Sequence, residues 1–335
     1  MEYKITVISP CFNSQNTLKR CIESVIMQTI GFENIELILY DDGSTDNTKK
    51  VIKQYCDKYE NIIPIFSNSN HGPGFGRDVA ISKSNGEYIM FIDSDDEYEP
   101  TVCETLLNEI NDDIDIVSCN YIHFDKYGSQ TILSSFFDEL EKSLIPHEEL
   151  TYLHSFAIWN KIFKKEIIIK NNIKFTSVRN GEDEIFLKHY SLFSKNLLHL
   201  GSYVGYKHYE KSDSISHSAT FKDLYDFIFV CKKIKEIYEP TGEDISILLE
   251  KRIELMIGYL YINDVLFNNY DKKELYYILN ELANLEEEIC FNRDLGLFKN
   301  ISNFFIKHRY FYPLIIYSKI LFVIGKLHLK ICGNK

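Results

Sequence analysis

Three carboxylates, Asp93, Asp95 and Asp96, fall within four residues directly behind the apolar run Tyr88-Ile89-Met90-Phe91-Ile92. A run of that kind reads as a buried strand, and so much negative charge at its end is costly without a positive partner. Oxygen donors alone suit a hard divalent cation, Mg²⁺ or Mn²⁺, shared with a phosphate-bearing ligand. The competing reading is a solvated acidic turn that leads into a helix near Pro100. The other chemically loaded segments favour the cation. They are the acidic pair Asp41-Asp42, the Gly-rich loop His71-Gly72-Pro73-Gly74-Phe75-Gly76-Arg77-Asp78, and Gly181-Glu182-Asp183-Glu184.

In Asp41-Asp42-Gly43-Ser44-Thr45-Asp46, Gly43 suits a tight turn and Asp46 a helix cap. Those roles leave the doubled Asp41-Asp42 unexplained. A carboxylate at a strand end can accept a hydrogen bond from the imide N–H of uracil, which makes this pair a candidate base reader. The Gly-rich loop follows the third apolar run, whereas a dinucleotide fingerprint would follow the first and carry an acid about 20 residues on. Its informative residue is Arg77, which a helix start at this point would aim at a diphosphate or at the aspartates. Acids at 182–184 complement the dipole of a helix that opens there, an effect of about 0.3–1 kcal/mol.

The elements that must position these residues alternate. Strand-like runs at residues 4–9, 35–40, 62–66 and 88–92 are separated by helical patterns. The first pattern has Leu18, Cys21, Ile22, Val25 and Ile26 on one face, with Ser14 or Asn16 as cap. The second has Val51, Ile52, Tyr55 and Tyr59, and the third spans about 77–84. This rhythm predicts an α/β protein with a mostly parallel sheet and helices on both faces. Ligands of such sheets bind beyond the carboxyl ends of the strands, where Ser9-Pro10-Cys11-Phe12-Asn13, Asp41-Asp42 and Asp93–Asp96 all fall. Further along, residues 115–124 and 197–209 read as strands, 158–163 as a short apolar segment and 182–193 as a helix. From about residue 221 the pattern is helical. A boundary near 215–220 gives a first domain of residues 1–217 and a helical region of 218–335.

The formal net charge of −12 argues against nucleic acid as a partner. Eight scattered cysteines without a CxxC pair suit a reducing compartment and core packing. With no leader pattern and no long apolar span, the expected location is cytoplasmic, at most peripheral on the inner face of the plasma membrane. After Asp294 no acidic residue occurs, and Lys299, Lys307, Arg309, Lys319, Lys326, Lys330 and Lys335 stand among aromatics. Such a tail suits an anionic membrane surface, a helix packed on the core, or a dimer contact.

Taken in order, Ser9-Pro10-Cys11-Phe12-Asn13, Asp41-Asp42-Gly43-Ser44, the loop ending in Arg77, and Phe91-Ile92-Asp93-Ser94-Asp95-Asp96 resemble the nucleotide-sugar half of family 2 glycosyltransferases, over roughly residues 3–215. One departure is Gly76-Arg77-Asp78 where the family has Ala-Arg-Asn, with Asp78 expected to add charge near the phosphates. Trp159-Asn160-Lys161 resembles the family's Trp-x-Lys element on the acceptor side. The stretch from Tyr206 to Ser216 resembles its Tyr-rich strand and Ser-Ile-Ser loop, with Lys207, His208, Lys211 and His217 as candidates for a cationic contact.

The resemblance implies a GT-A fold, Rossmann-like, and an inverting, metal-dependent transfer from a nucleoside-diphosphate sugar, UDP being the expected nucleotide. It gives Asp183 the part of catalytic base, with Glu182 as its neighbour. It turns Pro10, Phe12, Asn13, Asp41, Asp42, Arg77, Asp93, Ser94, Trp159, Lys161 and Lys211 toward the donor. It gives Asp93, Asp95 and His208 to Mn²⁺ or Mg²⁺. The acceptor implied is a glycan or lipid-linked glycan of a bacterial surface polysaccharide such as a capsule. Two alternatives stand beside this: transfer to a polyprenyl phosphate, and a non-catalytic scaffold that holds nucleotide sugar.

Overall fold

The computed structural model describes residues 3–134, 141–150, 157–178, 180–210 and 221–246, with scattered positions from 248 to 284. Lys211, His217 and the basic aromatic tail lie outside the described residues. The chain divides into two compact units, residues 1–214 and 215–335.

The first unit opens with β1 (Ile5–Cys11), α1 (Leu18–Ile26), β2 (Ile35–Asp41), α2 (Thr48–Cys56), β3 (Ile62–Phe66), α3 (Pro73–Lys83) and β4 (Tyr88–Phe91). Then follow β5 (Glu97–Tyr98), α4 (Val102–Glu109), β6 (Ile116–Phe124), β7 (Gln130–Leu133), β8 (Ser143–Pro146), α5 (His147–Leu150), β9 (Lys161–Lys164), α6 (Lys165–Lys170), α7 (Glu182–Ser191) and β10 (Asn196–Tyr209). They form one sheet in the order β3-β2-β1-β4-β9-β6-β10-β5, with β7 on β6 and β8 on β10. β3, β2, β1 and β4 are parallel, as the alternation predicts. β9 then runs antiparallel between β4 and β6, and β6 and β10 are parallel again. This brings the ends of β4 and β10 to the same side of the sheet.

Side chains along a strand alternate between faces, so β1 and β2 feed two cores. Ile5, Val7, Leu37 and Leu39 pack with Leu18, Cys21, Ile22 and Val25 of α1 and Ile52 of α2. Ile8 and Ile38 pack on the other face with Ala80 and Ile81 of α3 and Phe186 and Tyr190 of α7. Each such aliphatic side chain contributes about 1.5–3 kcal/mol when fully buried. Cys11, Cys21, Cys103 and Cys119 are buried free thiols. Burial pushes the Cys119 thiol up to about 12, so it acts as a small hydrophobe.

Three local expectations are corrected. α3 begins at Pro73 rather than near 77, because proline is well placed in a first helical turn. Arg77 therefore sits in the second turn, not at the N-terminus. The side chain of neither Ser14 nor Asn16 caps α1; the Ser14 hydroxyl is instead 2.7 Å from that of Ser94. The N-cap of α2 is Asn47; Asp46, one residue earlier, accepts the Thr48 N–H at 2.9 Å.

In the second unit, α8 (Phe221–Tyr238) buries Leu224, Ile228, Cys231, Ile234 and Tyr238 at helical spacing. Among the described residues no helix is long and apolar enough to cross a membrane.

The departure at Gly76 has a steric cause. A Cβ there would stand 2.5 Å from Cδ1 of the buried Tyr40 ring. Gly76→Ala is expected to destabilise the protein by about 1–3 kcal/mol, the usual result of overpacking. Adding Tyr40→Leu is expected to recover most of that loss, which thermal unfolding of the single and double variants measures.

Candidate active site

The centre of the site is Arg77, which α3 carries into the interior with only 3% of its surface exposed. Its Nη1 donates to Asp183 Oδ1 at 2.8 Å and to Glu182 Oε1 at 3.3 Å. Its Nη2 donates to Asp93 Oδ1 at 3.1 Å. One guanidinium thus joins the end of β4 to the start of α7. Burial opposes the charge on Arg77, but Asp183, Asp93 and Glu182 together hold it firmly protonated. Burial raises Asp183 well above the ordinary carboxylate range; Arg77 pulls it down, and Glu182 and Asp93 push it further up. Glu182 is raised by burial and lowered by Arg77. Asp93 is raised by burial, lowered by Arg77 and raised again by Asp95.

The three acids of the 93–96 turn divide by role. Asp96 is buried and structural: its carboxylate accepts the Tyr206 hydroxyl at 2.7 Å and the Tyr209 N–H at 2.9 Å. The Tyr206 hydroxyl also accepts the Asp93 N–H at 3.2 Å. Asp93 bonds Arg77, and Asp95 lies near enough to raise its pKa. Among the described residues no three Asp, Glu, His or Cys side chains form a ready-made metal cage. Oxygen donors with repulsive mutual charge still fit a hard cation that completes its shell with water and phosphate. The His208 ring is stacked between Trp159 (5.9 Å between centroids) and His123 (5.1 Å), and its Nδ1 is 2.9 Å from Nδ1 of His123.

The loops after β1 and β2 interlock. Asn13 adopts φ 49°, a conformation asparagine tolerates. Its N–H donates to Ser44 Oγ at 3.0 Å, and its Oδ1 accepts the Thr45 N–H at 2.9 Å. Asp41 accepts the Ser44 N–H at 3.2 Å. Asp42 accepts the N–H groups of His71 and Gly72 at 2.9 and 2.8 Å. Both carboxylates thus brace the loops that rim the site. Pro10 pairs with Tyr40 one residue before β1 ends at Cys11, and Phe12 beyond it is 47% exposed, an open aromatic face beside Asn13.

Lys161 is fully buried, donating to Ala157 O at 2.6 Å and Asn160 Oδ1 at 2.9 Å. Burial pulls it down to about 7, while Cys119 and Asp183 act in the opposite sense. Its neighbour Trp159 stacks on Tyr206 at 4.2 Å. Asp78 corrects an expectation: its carboxylate turns to the Phe175 N–H at 3.0 Å, not to the Asp93 cluster.

Sequence comparison bears on these residues. The family profile described as Glycosyl transferase family 2 matches residues 6–171. TarP of Staphylococcus aureus N315, a poly(ribitol-phosphate) beta-N-acetylglucosaminyltransferase, is 31% identical over 250 residues, covering 70% of this chain and 71% of TarP. The chain belongs to glycosyl transferase family 2. The uncharacterized glycosyltransferase YibD of Escherichia coli K12 is 29% identical over 221 residues, 64% of this chain. The chain spans 63% of YibD's length. Among solved structures, S. aureus TarS 1–349 in complex with UDP-GlcNAc has a TM-score of 0.71 at 18% identity, covering 97% of this chain and 92% of that one. That likeness establishes the GT-A fold.

In this family 2 protein the structure brings Arg77, Asp93, Glu182 and Asp183 together, with Asp95 close enough to act on Asp93. It places Asp41 and Asp42 in the loop scaffold and Lys161 in the interior. Sequence reasoning missed Tyr206, Tyr209, His123 and Arg20. Tyr206, His208 and Tyr209 of β10 are register neighbours of Tyr121, His123 and Phe124 of β6, a pairing that two strands so far apart in sequence do not disclose.

Asp78 supplies a pH test. Burial raises its carboxyl to about 6, so ionising it costs stability. That cost is absent below its unfolded value near 4, grows between about 4 and 6, and is complete above that. Asp78→Asn keeps an acceptor for Phe175. It is expected to match the wild type at pH 4 and exceed it by about 1 kcal/mol at pH 7.5, after allowance for solvent screening. Melting curves at the two pH values measure this.

Proposed function

We propose that this protein is an inverting glycosyltransferase that moves a sugar from a UDP-sugar to a hydroxyl of a glycan or lipid-linked glycan in surface polysaccharide synthesis. The observation that carries the reading is the buried Arg77 bonded to Asp183, Glu182 and Asp93 at the carboxyl end of β4. Support comes from TarS, which holds UDP-GlcNAc, and from TarP, named for a poly(ribitol-phosphate) acceptor. The reaction would take place on the cytoplasmic side.

Asp93 and Asp95 would hold Mg²⁺ or Mn²⁺, with His208 as the candidate third ligand. The bound cation would neutralise the charge that develops on the departing diphosphate. Arg77 adds a fixed positive charge beside that position without reorganising during the reaction. Phe12 and Asn13 lie at the mouth formed by the β1 and β2 loops, the place for the nucleoside. Asp41 and Asp42 hold those loops in shape and border the base.

Asp183 accepts the proton of the acceptor hydroxyl. The freed oxygen lone pair forms a bond to the anomeric carbon as the bond from that carbon to the diphosphate oxygen breaks. The electron pair leaves on the diphosphate, and the single displacement inverts the anomeric centre. Burial makes Asp183 a stronger base than a solvated carboxylate, while Arg77 keeps enough of it ionised to act.

The test is release of nucleoside diphosphate from a panel of sugar donors with Mn²⁺, Mg²⁺ or EDTA. The expected result is metal-dependent release from a UDP-sugar. Its rate should rise with pH through a value above the ordinary carboxylate range, because the base must lose its proton. Asp183→Asn is expected to lower turnover by about 10²–10⁴-fold with UDP binding retained. Undiminished turnover in that variant would remove Asp183 from the mechanism. UDP binding without turnover of any donor would favour the scaffold reading.

A further inference from the structure

Arg20, on the outer face of α1, makes contacts that the proposed chemistry does not use. Its Nη2 donates to the main-chain carbonyl of Asp95. Its guanidinium carbon lies 3.6 Å above the centroid of the Tyr209 ring, and its Nε is 3.8 Å from Glu97 Oε2. The other face of Tyr209 stacks on Phe124 at 4.6 Å with an interplanar angle of 10°. Phe124 is the register partner of Tyr209 across β6 and β10. The guanidinium therefore rests on a two-ring stack anchored in the sheet.

Tyr209 is itself joined to the acidic turn. Its N–H donates to Asp96 Oδ1 at 2.9 Å and its hydroxyl to Glu97 Oε2 at 3.3 Å. Glu97 also accepts Lys207 Nζ at 2.9 Å. Arg20 thus contacts three successive parts of one assembly: the Asp95 peptide, the Glu97 side chain and the Tyr209 ring. Elsewhere the turn is held at Asp93 by Tyr206 and Arg77, at Ser94 by Ser14, and at Asp96 by Tyr206, Tyr209 and a turn hydrogen bond from its N–H to Asp93 O. The carbonyl of the Asp95–Asp96 peptide is the part that Arg20 holds.

We propose that Arg20 is a positioning residue for the acidic turn: by clamping the Asp95 carbonyl against the Tyr209–Phe124 stack, it fixes the peptide from which Asp95 reaches a divalent cation. The inference rests on the reading of Asp95 as a cation ligand. Three properties of arginine suit the task. Its planar head stacks on an aromatic face, its N–H groups reach a carbonyl in the same plane, and it stays charged at any working pH. A carbonyl that accepts from a guanidinium stays in place as charge arrives beside it.

The experiment compares Arg20→Met, Arg20→Lys, Tyr209→Phe and Tyr209→Leu with the wild type in two measurements. The first is amide hydrogen exchange of residues 93–97 without ligand. The second is Mn²⁺ affinity by electron spin resonance, with and without UDP. Losing a hydrogen bond from a charged donor predicts, for Arg20→Met, exchange about tenfold or more faster at 94–97 and Mn²⁺ affinity lower by about tenfold. Tyr209→Phe, which keeps the ring, is expected to stay near wild type, and Tyr209→Leu to follow Arg20→Met. Arg20→Lys, which keeps the charge but loses the planar stack, is expected to fall between. A lower melting temperature with unchanged exchange at 94–97 and unchanged Mn²⁺ affinity overturns the proposal, as does faster exchange with unchanged Mn²⁺ affinity. A wild type that binds neither Mn²⁺ nor UDP overturns the functional reading instead. That outcome is told apart because the exchange measurement needs no ligand.

Discussion

The site depends on one buried cation. Arg77 lies in the interior within reach of carboxylates from β4 and from α7, elements roughly 90 residues apart in the chain. Taking any of these charges out of water alone would cost several kcal/mol, so none is stable there without the others. The guanidinium fork satisfies the geometry because it donates in two directions within one plane. Among the described residues its buried Nε has no hydrogen-bond partner, and both terminal nitrogens bond the acids. The proton affinities of Asp93, Glu182 and Asp183 all follow from that arrangement, each raised by burial and restrained by the same positive charge.

Around this centre the fold separates acids that meet Arg77 from acids that hold loops in shape. Asp96, Asp41 and Asp42 are as acidic by sequence as Asp93 and Asp183. Their oxygens are taken by backbone N–H groups and a tyrosine hydroxyl, so they act as internal caps of loops. Glu36 does the same at the opposite end of the sheet, where it binds Thr6 and Asn85. Asp93, Glu182 and Asp183 are set apart by their contact with Arg77, not by their position in a motif.

The second half of the sheet contributes a different device. β6 and β10 run parallel, and their register sets His123 beside His208 and Phe124 beside Tyr209. With Trp159 stacked on Tyr206, these pairs make an aromatic wall that closes one side of the acidic turn. Such stacks add about 0.5–1.5 kcal/mol each beyond the area they bury. β9, paired antiparallel with both β4 and β6, joins the two halves of the sheet.

The sequence alone determined the alternation of strands and helices, the order of the acidic motifs, the turn at Gly43 and the family. The elements and the turn are written in neighbouring residues, where periodicity and turn chemistry act, and the family in short motifs that recur in a fixed order. Tertiary structure alone decided which acids meet Arg77, that Asp78 turns away, that α3 carries Arg77 inward, and that Lys161 is internal. It also decided that Arg20 reaches the Asp95 carbonyl, 75 residues away. These outcomes follow from strand order and register, which bring distant segments to one sheet edge. Desolvation there depends on the whole packed surround, and no local run of residues encodes that quantity.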